Sequence, residues 1–286
     1  MSDTFTIRDF EKRYPNDDAC LQEIFSNRYQ SNECPECHKI THFYRIKNRK
    51  CYACQFCGHQ LHPLSNTIFH KSETPLKMWF YSIFLFAKSK NGVSAKELER
   101  QLGVTYKTAW RMAKQIRLLM SEIDKQLDGN IEIDETYIGG VRHGKRGRGA
   151  EGKTPVLGIM KRHGAVKAIV IENIKAKTVM PIILSVIKKD SIISTDEGTN
   201  YNKIAQHGFT HGRVKHCADE YVNGIHHTNT IEGFWSQLKR SIHGTYHAVS
   251  RKHLQSYVDE FAFRYSRRDV QTLFLEMIGL VVKPIL

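Results

Sequence analysis

Strand-like and helix-like patterns of apolar residues alternate along the second half of the chain. The segment IEIDETYI (131–138) alternates apolar and polar positions and is followed by two glycines, which is typical of a half-buried strand. The β-branched segments 156–160 and 166–171 are separated by a His-Gly pair and predict a hairpin. The other predicted elements are a helix at 175–188, a short buried strand at 191–194, and helices at 229–243 and 250–265. This alternation predicts an α/β domain at 128–286.

The first half of the chain is helical in pattern, apart from one cysteine-rich window at 31–72. Residues 1–30 predict a short helical lead-in, and residues 73–127 predict an all-helical region. The most apolar run, MWFYSIFLFA, covers only 78–87. A membrane span needs about 20 apolar residues, so this run predicts a buried helix and no membrane partner.

Five of the seven cysteines lie between positions 34 and 57. The sequences CPECH and CYACQFCGH supply C-x2-C pairs with the spacing of a four-cysteine zinc ribbon. Zinc takes four such ligands in a tetrahedron, which leaves no open position for chemistry, so one structural Zn²⁺ is predicted. The predicted ligands are Cys34, Cys37, Cys54 and Cys57.

The second cysteine pair is ambiguous, because Cys51 also stands three residues before Cys54. Gly58 favours the later pair, since a glycine there relaxes the turn that follows the ligands. Cys51 would then lie on the incoming strand, but it stays an alternative ligand in place of either cysteine of that pair. His38 and His59 are substitute ligands, and a set of buried free thiols is the alternative to any metal site.

The charge balance points to a polyanionic partner. The chain has 43 Lys and Arg against 29 Asp and Glu, a net charge of +14. No basic amphipathic helix of the membrane-binding type stands out, so nucleic acid is favoured. The N-terminus lacks the apolar core of a secretory signal, and a cytoplasmic protein is expected. The basic, glycine-rich segment 142–153 is either a mobile loop or a loop that orders on a phosphate backbone.

The segment 94–120 predicts two helices separated by Gly103. A short helix, a glycine-containing turn and a second helix with basic side chains outward are typical of a helix-turn-helix. A plain helical hairpin with a solvated basic face is the alternative. The residues expected to contact DNA are Thr105, Tyr106, Lys107, Thr108, Arg111 and Lys114.

Three acids stand where a catalytic metal site would need them. Asp134 lies within the strand at 131–138, Asp196 directly follows the strand SIIS, and Glu232 opens a helix. Carboxylates that converge from separate elements can hold two metal ions. Each acid also has a structural explanation: a rim acid, a helix cap, or the partner of Asn229 in a capping box.

Three neighbouring acids are alternatives at these positions: Glu132, Glu135 and Glu197. Because side chains alternate along a strand, Glu132 shares a face with Asp134, and Glu135 should point to the opposite face. Lys239 follows Glu232 by seven residues, close to two helical turns, so the two side chains share a face. Lys239 would contact a phosphate or neutralise charge; a solvated surface lysine is the alternative.

These motifs resemble those of bacterial insertion-sequence transposases of the DDE type, in particular the group with an N-terminal zinc ribbon that is related to Merlin transposons. The resemblance covers about residues 30–268. It is carried by CPEC, CQFCGHQ, NTIFHKSETPLKMWFYSIFLF, VSAKELERQLGVTYKTAWRM, IEIDETYIGG, STDEGTNY and HTNTIEGFWSQLKRSIHGTYHAVSRKHLQSYVDEFAFRYSRR.

The resemblance implies an α/β catalytic core of RNase H-like type, preceded by the zinc ribbon and the helix-turn-helix. It implies two Mg²⁺ (or Mn²⁺) ions held by Asp134, Asp196 and Glu232, with Lys239 as the lysine that follows the third acid. The implied reaction is metal-dependent cleavage at transposon ends and joining of the 3′-OH to target DNA. The implied partners are double-stranded DNA, as ends and as target, and further copies of the chain in a homodimer or higher multimer. A silent DNA-binding regulator and a plain RNase H-like nuclease are the alternatives.

Overall fold

The computed structural model of the chain describes residues 5–121, 126–139, 153–214 and 224–282. Most of the predicted basic loop, residues 142–152, lies outside the described residues. The chain divides into two units. We call them the helix–ribbon unit (Met1–Ser89, Ala95–Leu119 and Asp269–Leu286) and the sheet unit (Lys90–Ser94 and Met120–Arg268).

In its described residues, the helix–ribbon unit joins six helices to a small antiparallel sheet. Its helices are α1 (Ile7–Arg13), α2 (Asp17–Arg28), α3 (Leu76–Lys88), α4 (Ala95–Leu102), α5 (Tyr106–Leu119) and α9 (Leu273–Leu280). Its strands are β1 (Phe43–Arg45), β2 (Tyr52–Cys54) and β3 (Gln60–Leu61), in the order β1-β2-β3. Two side-chain caps begin the first helices: Thr6 forms a capping box with Asp9, and Asn16 accepts from the backbone N–H of Ala19.

Aromatic rings of α1, α3 and α9 form the core of the helix–ribbon unit. The ring centroid of Phe10 lies 5.5 Å from that of Phe84 and 5.8 Å from that of Phe274. The predicted α/β region ran to residue 286, whereas α9 packs on α3 in this unit. The reason is that Phe274 of α9 is buried by its contacts with these aromatic rings, which belong to the helix–ribbon unit.

The apolar run at 78–87 forms most of α3 and buries Trp79, Phe80, Ile83 and Phe86. This confirms the predicted buried helix. Among the described residues, no helix combines the length and the apolar character that crossing a bilayer requires.

The sheet unit is built around a mixed five-stranded sheet. Its strands are β4 (Asn130–Ile138), β5 (Thr154–Lys161), β6 (Val166–Val170), β7 (Ile192–Thr195) and β8 (Thr210–Arg213), and its helices are α6 (Ala176–Val186), α7 (Asn229–Ser241) and α8 (Arg251–Ser266). The strand order is β6-β5-β4-β7-β8. Strands β4, β5 and β6 are antiparallel neighbours, whereas β4, β7 and β8 run parallel. The predicted strands, hairpin and helices of this region are therefore confirmed.

The two faces of the sheet are covered by different helices. Ile131 and Ile133 point into a core shared with Val179 and Ile183 of α6. The opposite core holds Ile231 and other apolar residues of α7 together with α8. Since side chains alternate along β4, its even-numbered residues face the side on which α7 lies. This alternation decides which acids of β4 can meet α7.

Candidate functional site

The four predicted zinc ligands come together in the ribbon. The Sγ atoms of Cys34 and Cys57 lie 3.6 Å apart, those of Cys37 and Cys54 lie 3.8 Å apart, and all four lie within 4.8 Å of one another. Sulfurs at a Zn–S distance of about 2.3 Å in a tetrahedron stand about 3.8 Å from each other. A disulfide would need about 2.05 Å. The four thiols therefore fit a structural zinc ion.

The two halves of this site have the same backbone turn. The backbone N–H of His38 donates to the carbonyl of Cys34 over 2.9 Å, and that of Gly58 donates to Cys54 over 3.0 Å. Both residues after the cysteine pairs adopt positive φ, 56° at His38 and 71° at Gly58. Glycine enters this region without strain, which is the role predicted for Gly58.

The alternative ligands stand outside the sulfur cluster. Cys51 is buried beside the ribbon strands, and its Sγ lies 3.8 Å from Oε1 of Gln60. His38 and His59 each lie beside a glutamate instead. The tertiary structure thus selects the later cysteine pair, as the sequence favoured.

Asp134 and Asp196 occupy corresponding places on adjacent parallel strands. Ile133 of β4 pairs with Thr195 of β7, so the two aspartates are the next residues along both strands. Burial raises the pKa of Asp134 to about 7, and the negative charges of Glu135 and Asp196 act in the same direction. Asp196 directs Oδ1 to the backbone N–H of Gly198 over 3.0 Å, which closes the turn after β7.

Glu232 lies in the first turn of α7. The capping box between Asn229 and Glu232, which was the structural alternative for this acid, is not formed, because α7 begins with Asn229 already helical and Thr228 at the N-cap. Instead, Oγ1 of Thr228 donates to Oε1 of Glu232 over 3.0 Å. Glu232 and Lys239 are both exposed on α7.

The three acids do not gather as tightly as the cysteines. Among the described residues, the cysteine quartet is the one group of three or more potential ligands whose donor atoms all lie within 4.8 Å. What holds the acids near one another is the framework: Asp134 and Asp196 through strand pairing, and α7 through its contacts with β4.

Glu132, one of the alternative acids named from the sequence, makes the most extensive of these contacts. Its side chain is fully buried, and Oε1 lies 2.7 Å from Nε of Arg162 and 2.9 Å from Oγ1 of Thr230. Its Oε2 accepts from the backbone N–H groups of Thr230 and Ile231 over 3.0 and 3.1 Å. Glu132 therefore caps the N-terminus of α7. Since protein donors bind both of its oxygens, it is poorly suited as a metal ligand.

Trp235 is a site residue that the sequence did not predict. Its indole N–H donates to Oδ2 of Asp134 over 3.0 Å. The sequence indicated one feature of both contacts: Glu132 and Asp134 are two residues apart on β4, so their side chains share one face of the strand. It did not indicate their partners, which lie roughly 30 to 100 positions away.

Glu135 points to the other face, as strand alternation predicted. Its Oε2 accepts from the hydroxyl of Tyr201 over 2.6 Å. Burial, and then the charge of Glu135, raises the pKa of Tyr201 well above its ordinary value. Glu135 is therefore held on the α6 side, away from α7.

The predicted helix pair is present as α4 and α5, separated by Gly103 with a φ of 65°. Oγ1 of Thr105 accepts from the backbone N–H of Thr108 over 3.3 Å, which caps α5. Thr105, Tyr106, Lys107 and Lys114 are exposed, and Thr108 is half-buried. Arg111 does not point outward as expected: it donates to Oγ of Ser72 over 3.1 Å and lies 5.7 Å from the ring of Trp79.

The ribbon also presents an exposed apolar face flanked by cations. Ile40, Tyr44 and Phe56 are 74%, 53% and 56% exposed. Ile40 and Tyr44 alternate with the buried Thr41 and with Phe43, which packs on α2, so they share the outward face. The ammonium of Lys39 lies 5.1 Å from the Phe56 ring. Residues 38–50 contain five Lys or Arg and no acid. We call Ile40, Tyr44 and Phe56 the ribbon face.

Two domain families match the chain. The family described as transposase zinc-ribbon domain matches residues 15–60, and the family described as ISXO2-like transposase domain matches residues 126–266. The first match contains the four-cysteine site, and the second contains β4 to α8 with all three acids.

Relatives point the same way. An uncharacterized protein in the transposable element ISH50 of Halobacterium salinarum is 26% identical over 252 residues, covering 81% of this chain and 84% of the relative. An uncharacterized transposase-like protein of Haemophilus influenzae is 26% identical over 107 residues, covering 37% of this chain and 85% of the relative. With the zinc-ribbon and transposase families matched in this order, the chain belongs to the insertion-sequence transposases that carry an N-terminal zinc ribbon.

Proposed function

We propose that the protein binds the terminal inverted repeats of its element, cleaves the ends by metal-dependent phosphodiester hydrolysis, and joins the 3′-OH to target DNA. The observation that carries this proposal is the placement of the acids. Asp134 and Asp196 lie side by side on the central parallel strands, and α7, which bears Glu232, is attached to the strand of Asp134. The mixed sheet of three antiparallel strands followed by two parallel ones supports an RNase H-like core.

The donor set suits Mg²⁺ or Mn²⁺, which prefer carboxylate oxygens. Asp134 would be shared between two ions, with Asp196 completing one site and Glu232 the other. The elevated pKa of Asp134 supports this assignment, because burial and two neighbouring acids create unfavourable negative charge that a cation would offset. When bound, such ions would activate water or a 3′-OH and stabilise the attacking and leaving oxygens.

The residues of the chain itself would hold and orient the reacting groups. Trp235 holds one oxygen of Asp134, so the carboxylate cannot rotate freely. Thr228 does the same for Glu232. Lys239 is exposed two helical turns along α7 and would contact a DNA phosphate near the acids.

DNA recognition would fall to the helix–ribbon unit. The start of α5, with Thr105, Tyr106, Lys107 and Thr108, would enter the major groove as the second helix of a helix-turn-helix, and Lys114 would contact the backbone. Arg111 would act indirectly, since its packing against Trp79 supports α5 from beneath. The ribbon face would add a second contact with nucleic acid. At least two copies of the chain would be needed to pair two ends.

A DNA-binding regulator without chemistry is the alternative function. It is favoured by the observation that the acids do not bring their oxygens as close together as the cysteine ligands. A plain nuclease would cut the DNA without joining it. The DNA products therefore distinguish a transposase, a regulator and a nuclease.

The test incubates purified protein and Mg²⁺ with labelled duplexes that carry the terminal repeats flanking its own gene, and with a target plasmid. We expect 3′-end cleavage and covalent strand-transfer products, both abolished by Asp134→Asn and by Asp196→Asn. Specific binding without either product would support the regulator, and cleavage without joining would support the nuclease.

A further inference from the structure

Helix α7 begins without a cap of its own. The N-cap residue Thr228 makes no side-chain hydrogen bond to the first-turn N–H groups. A helix leaves its first four N–H groups without helical partners, and buried ones need an acceptor from elsewhere. Here the acceptor is Glu132 of β4, whose Oε2 binds the N–H groups of Thr230 and Ile231.

A buried carboxylate is unfavourable unless it is compensated. Glu132 is compensated by Arg162 on the strand side and by the positive end of α7 on the helix side. Arg162 is itself held by the carbonyls of Ile225 and His227, in the segment that leads into α7. The start of α7 is thus fixed to β4 through one charged group.

A second contact lies one turn further along the same helix. Trp235 donates its indole N–H to Asp134, two residues after Glu132 on β4. Two strand residues advance about 6.7 Å, and the four residues from Ile231 to Trp235 advance about 6 Å along a helix. The two contacts therefore match in spacing, and Glu232 lies between them.

We infer that Glu132 and Trp235 act together as positioning residues, which hold Glu232 and Asp134 in a fixed relation for the chemistry proposed above. We call the contacts of Glu132 and Trp235 with their partners the β4–α7 clamp. This inference rests on the proposed function. Neither residue is a metal ligand: Glu132 has both oxygens bound to protein, and Trp235 offers only an N–H donor.

The first test is Trp235→Phe, which keeps a ring in the core and removes the N–H donor. We expect unchanged DNA affinity, cleavage at least tenfold slower, and a higher Mg²⁺ concentration for half-maximal rate. Trp79→Phe is the control for the loss of an indole N–H, because it removes one that donates to Ser72 over 3.0 Å in the helix–ribbon unit. Since Trp79 also packs against Arg111 beneath α5, all cleavage rates are compared at saturating DNA. Both variants are checked by thermal unfolding. If folded Trp235→Phe cleaves as fast as the wild type and Trp79→Phe, and needs the same Mg²⁺ concentration, the inference is overturned.

The second test uses Glu132→Gln, which keeps the side-chain length and one carbonyl oxygen. If the two residues act through the same placement of α7, the fold reduction in cleavage rate of the double variant Glu132→Gln/Trp235→Phe should be smaller than the product of the two single reductions. Independent, multiplicative losses would contradict a single clamp.

A third readout does not depend on activity. The three tryptophans give three indole N–H signals in ¹⁵N-labelled protein, and Trp235→Phe assigns one of them. We expect Mg²⁺ to shift the Trp235 signal in the wild type and not in Asp134→Asn, while the Trp79 signal stays in place. A Trp235 signal insensitive to both Asp134→Asn and Mg²⁺ would refute the clamp, even if the protein cleaves DNA. A shift in a protein that never cleaves would retain the clamp and reject the proposed function.

Discussion

Gly158 of β5 leaves the space that Trp235 of α7 occupies. A β-carbon at Gly158 would lie 2.4 Å from Cζ2 of Trp235 and 2.8 Å from Cδ1 of Ile231. Gly158 also stands in register with Asp134 on the neighbouring strand. The absence of a side chain at one position therefore lets α7 approach the strand of the first acid closely enough for the indole to reach it.

Gly158→Ala should displace α7. Cζ2 belongs to the rigid indole ring of Trp235, which cannot give way as the end of the Ile231 side chain can. Relief therefore requires movement of the helix, and we expect a loss of about 1–3 kcal/mol in the free energy of unfolding. Cleavage should fall as well, because the contact of Trp235 with Asp134 is lengthened. Denaturant unfolding and end cleavage measure the two effects.

The control is Gly233→Ala on α7, where a β-carbon meets nothing within 4 Å. This exchange should stabilise the protein by about 0.5–1 kcal/mol, since alanine favours a helix over glycine. Equal stability of the two variants would show that Gly158 is not a packing requirement.

Zinc content should separate Cys54 from Cys51. We expect one zinc per wild-type chain and per Cys51→Ser chain, because Cys51 stands outside the sulfur cluster. Cys54→Ser removes one of four ligands and should lose most of the zinc and lower the unfolding temperature. Metal analysis of the purified proteins measures both; zinc loss in Cys51→Ser would contradict the assignment.

Glu232→Gln should separate a structural role from a catalytic one. The amide retains an oxygen that can accept from Thr228, so folding should be unchanged. It lacks the charge that Mg²⁺ prefers, and we expect a fall in cleavage of at least about 100-fold, or about 2.7 kcal/mol. Circular dichroism and end cleavage are the measurements. Full activity in a folded Glu232→Gln protein would place the third ligand elsewhere.

The ribbon face should contribute to DNA binding. Tyr44→Ala and Phe56→Ala remove aromatic rings that are exposed beside several cations, and each should weaken binding by about 1 kcal/mol, or about fivefold. Fluorescence anisotropy with duplex and single-stranded DNA measures this and distinguishes groove contact from base stacking. Ile7→Ala, another exposed apolar residue of the same unit, should have no effect. Unchanged binding in both ribbon variants would exclude this surface.

Asp259 should make the sheet unit less stable as pH rises. Burial raises the pKa of Asp259 to about 6, partly offset by the hydrogen bond from Gln255. The folded state then binds the proton more tightly than the unfolded state, so stability falls between about pH 4 and pH 6 and levels off above. Asp259→Asn should remove this loss and stabilise the protein at pH 8 by on the order of 1–2 kcal/mol.

Asp128 provides the opposite case. Its pKa is lowered by a hydrogen bond and a charge contact with Lys161, so its contribution is present above the unfolded pKa and is lost as pH falls through the folded pKa. Asp128→Asn should therefore not stabilise the protein at pH 8. Parallel pH profiles for the two variants would contradict both assignments.

Local pattern was sufficient for the elements of the sheet unit and for the zinc site. The alternation at 131–138 predicted β4 and the faces of Glu132 and Glu135, because strand side chains alternate whatever lies around them. The ribbon ligands were predictable because both cysteine pairs carry their own turn geometry within five residues.

Contacts between distant segments required the tertiary structure. The spacing allowed a capping box of Asn229 with Glu232 as an alternative, whereas the N–H groups at the start of α7 are bound by Glu132, almost 100 residues earlier. The sequence placed Arg111 outward among the residues expected to contact DNA, whereas Arg111 donates to Ser72 and packs against Trp79. It extended the α/β domain to residue 286, whereas Phe274 of α9 packs among the aromatic rings of α1 and α3.

The sequence by itself determined the order of the elements in the sheet unit and the family, and it favoured the four cysteine ligands, since these depend on periodicity and on spacing within short segments. Only the tertiary structure decided that Glu132 accepts hydrogen bonds from the first turn of α7 and that Trp235 donates one to Asp134. The physical reason is that a buried carboxylate takes whichever donors the packed chain brings to it, and no local pattern records which donors those are.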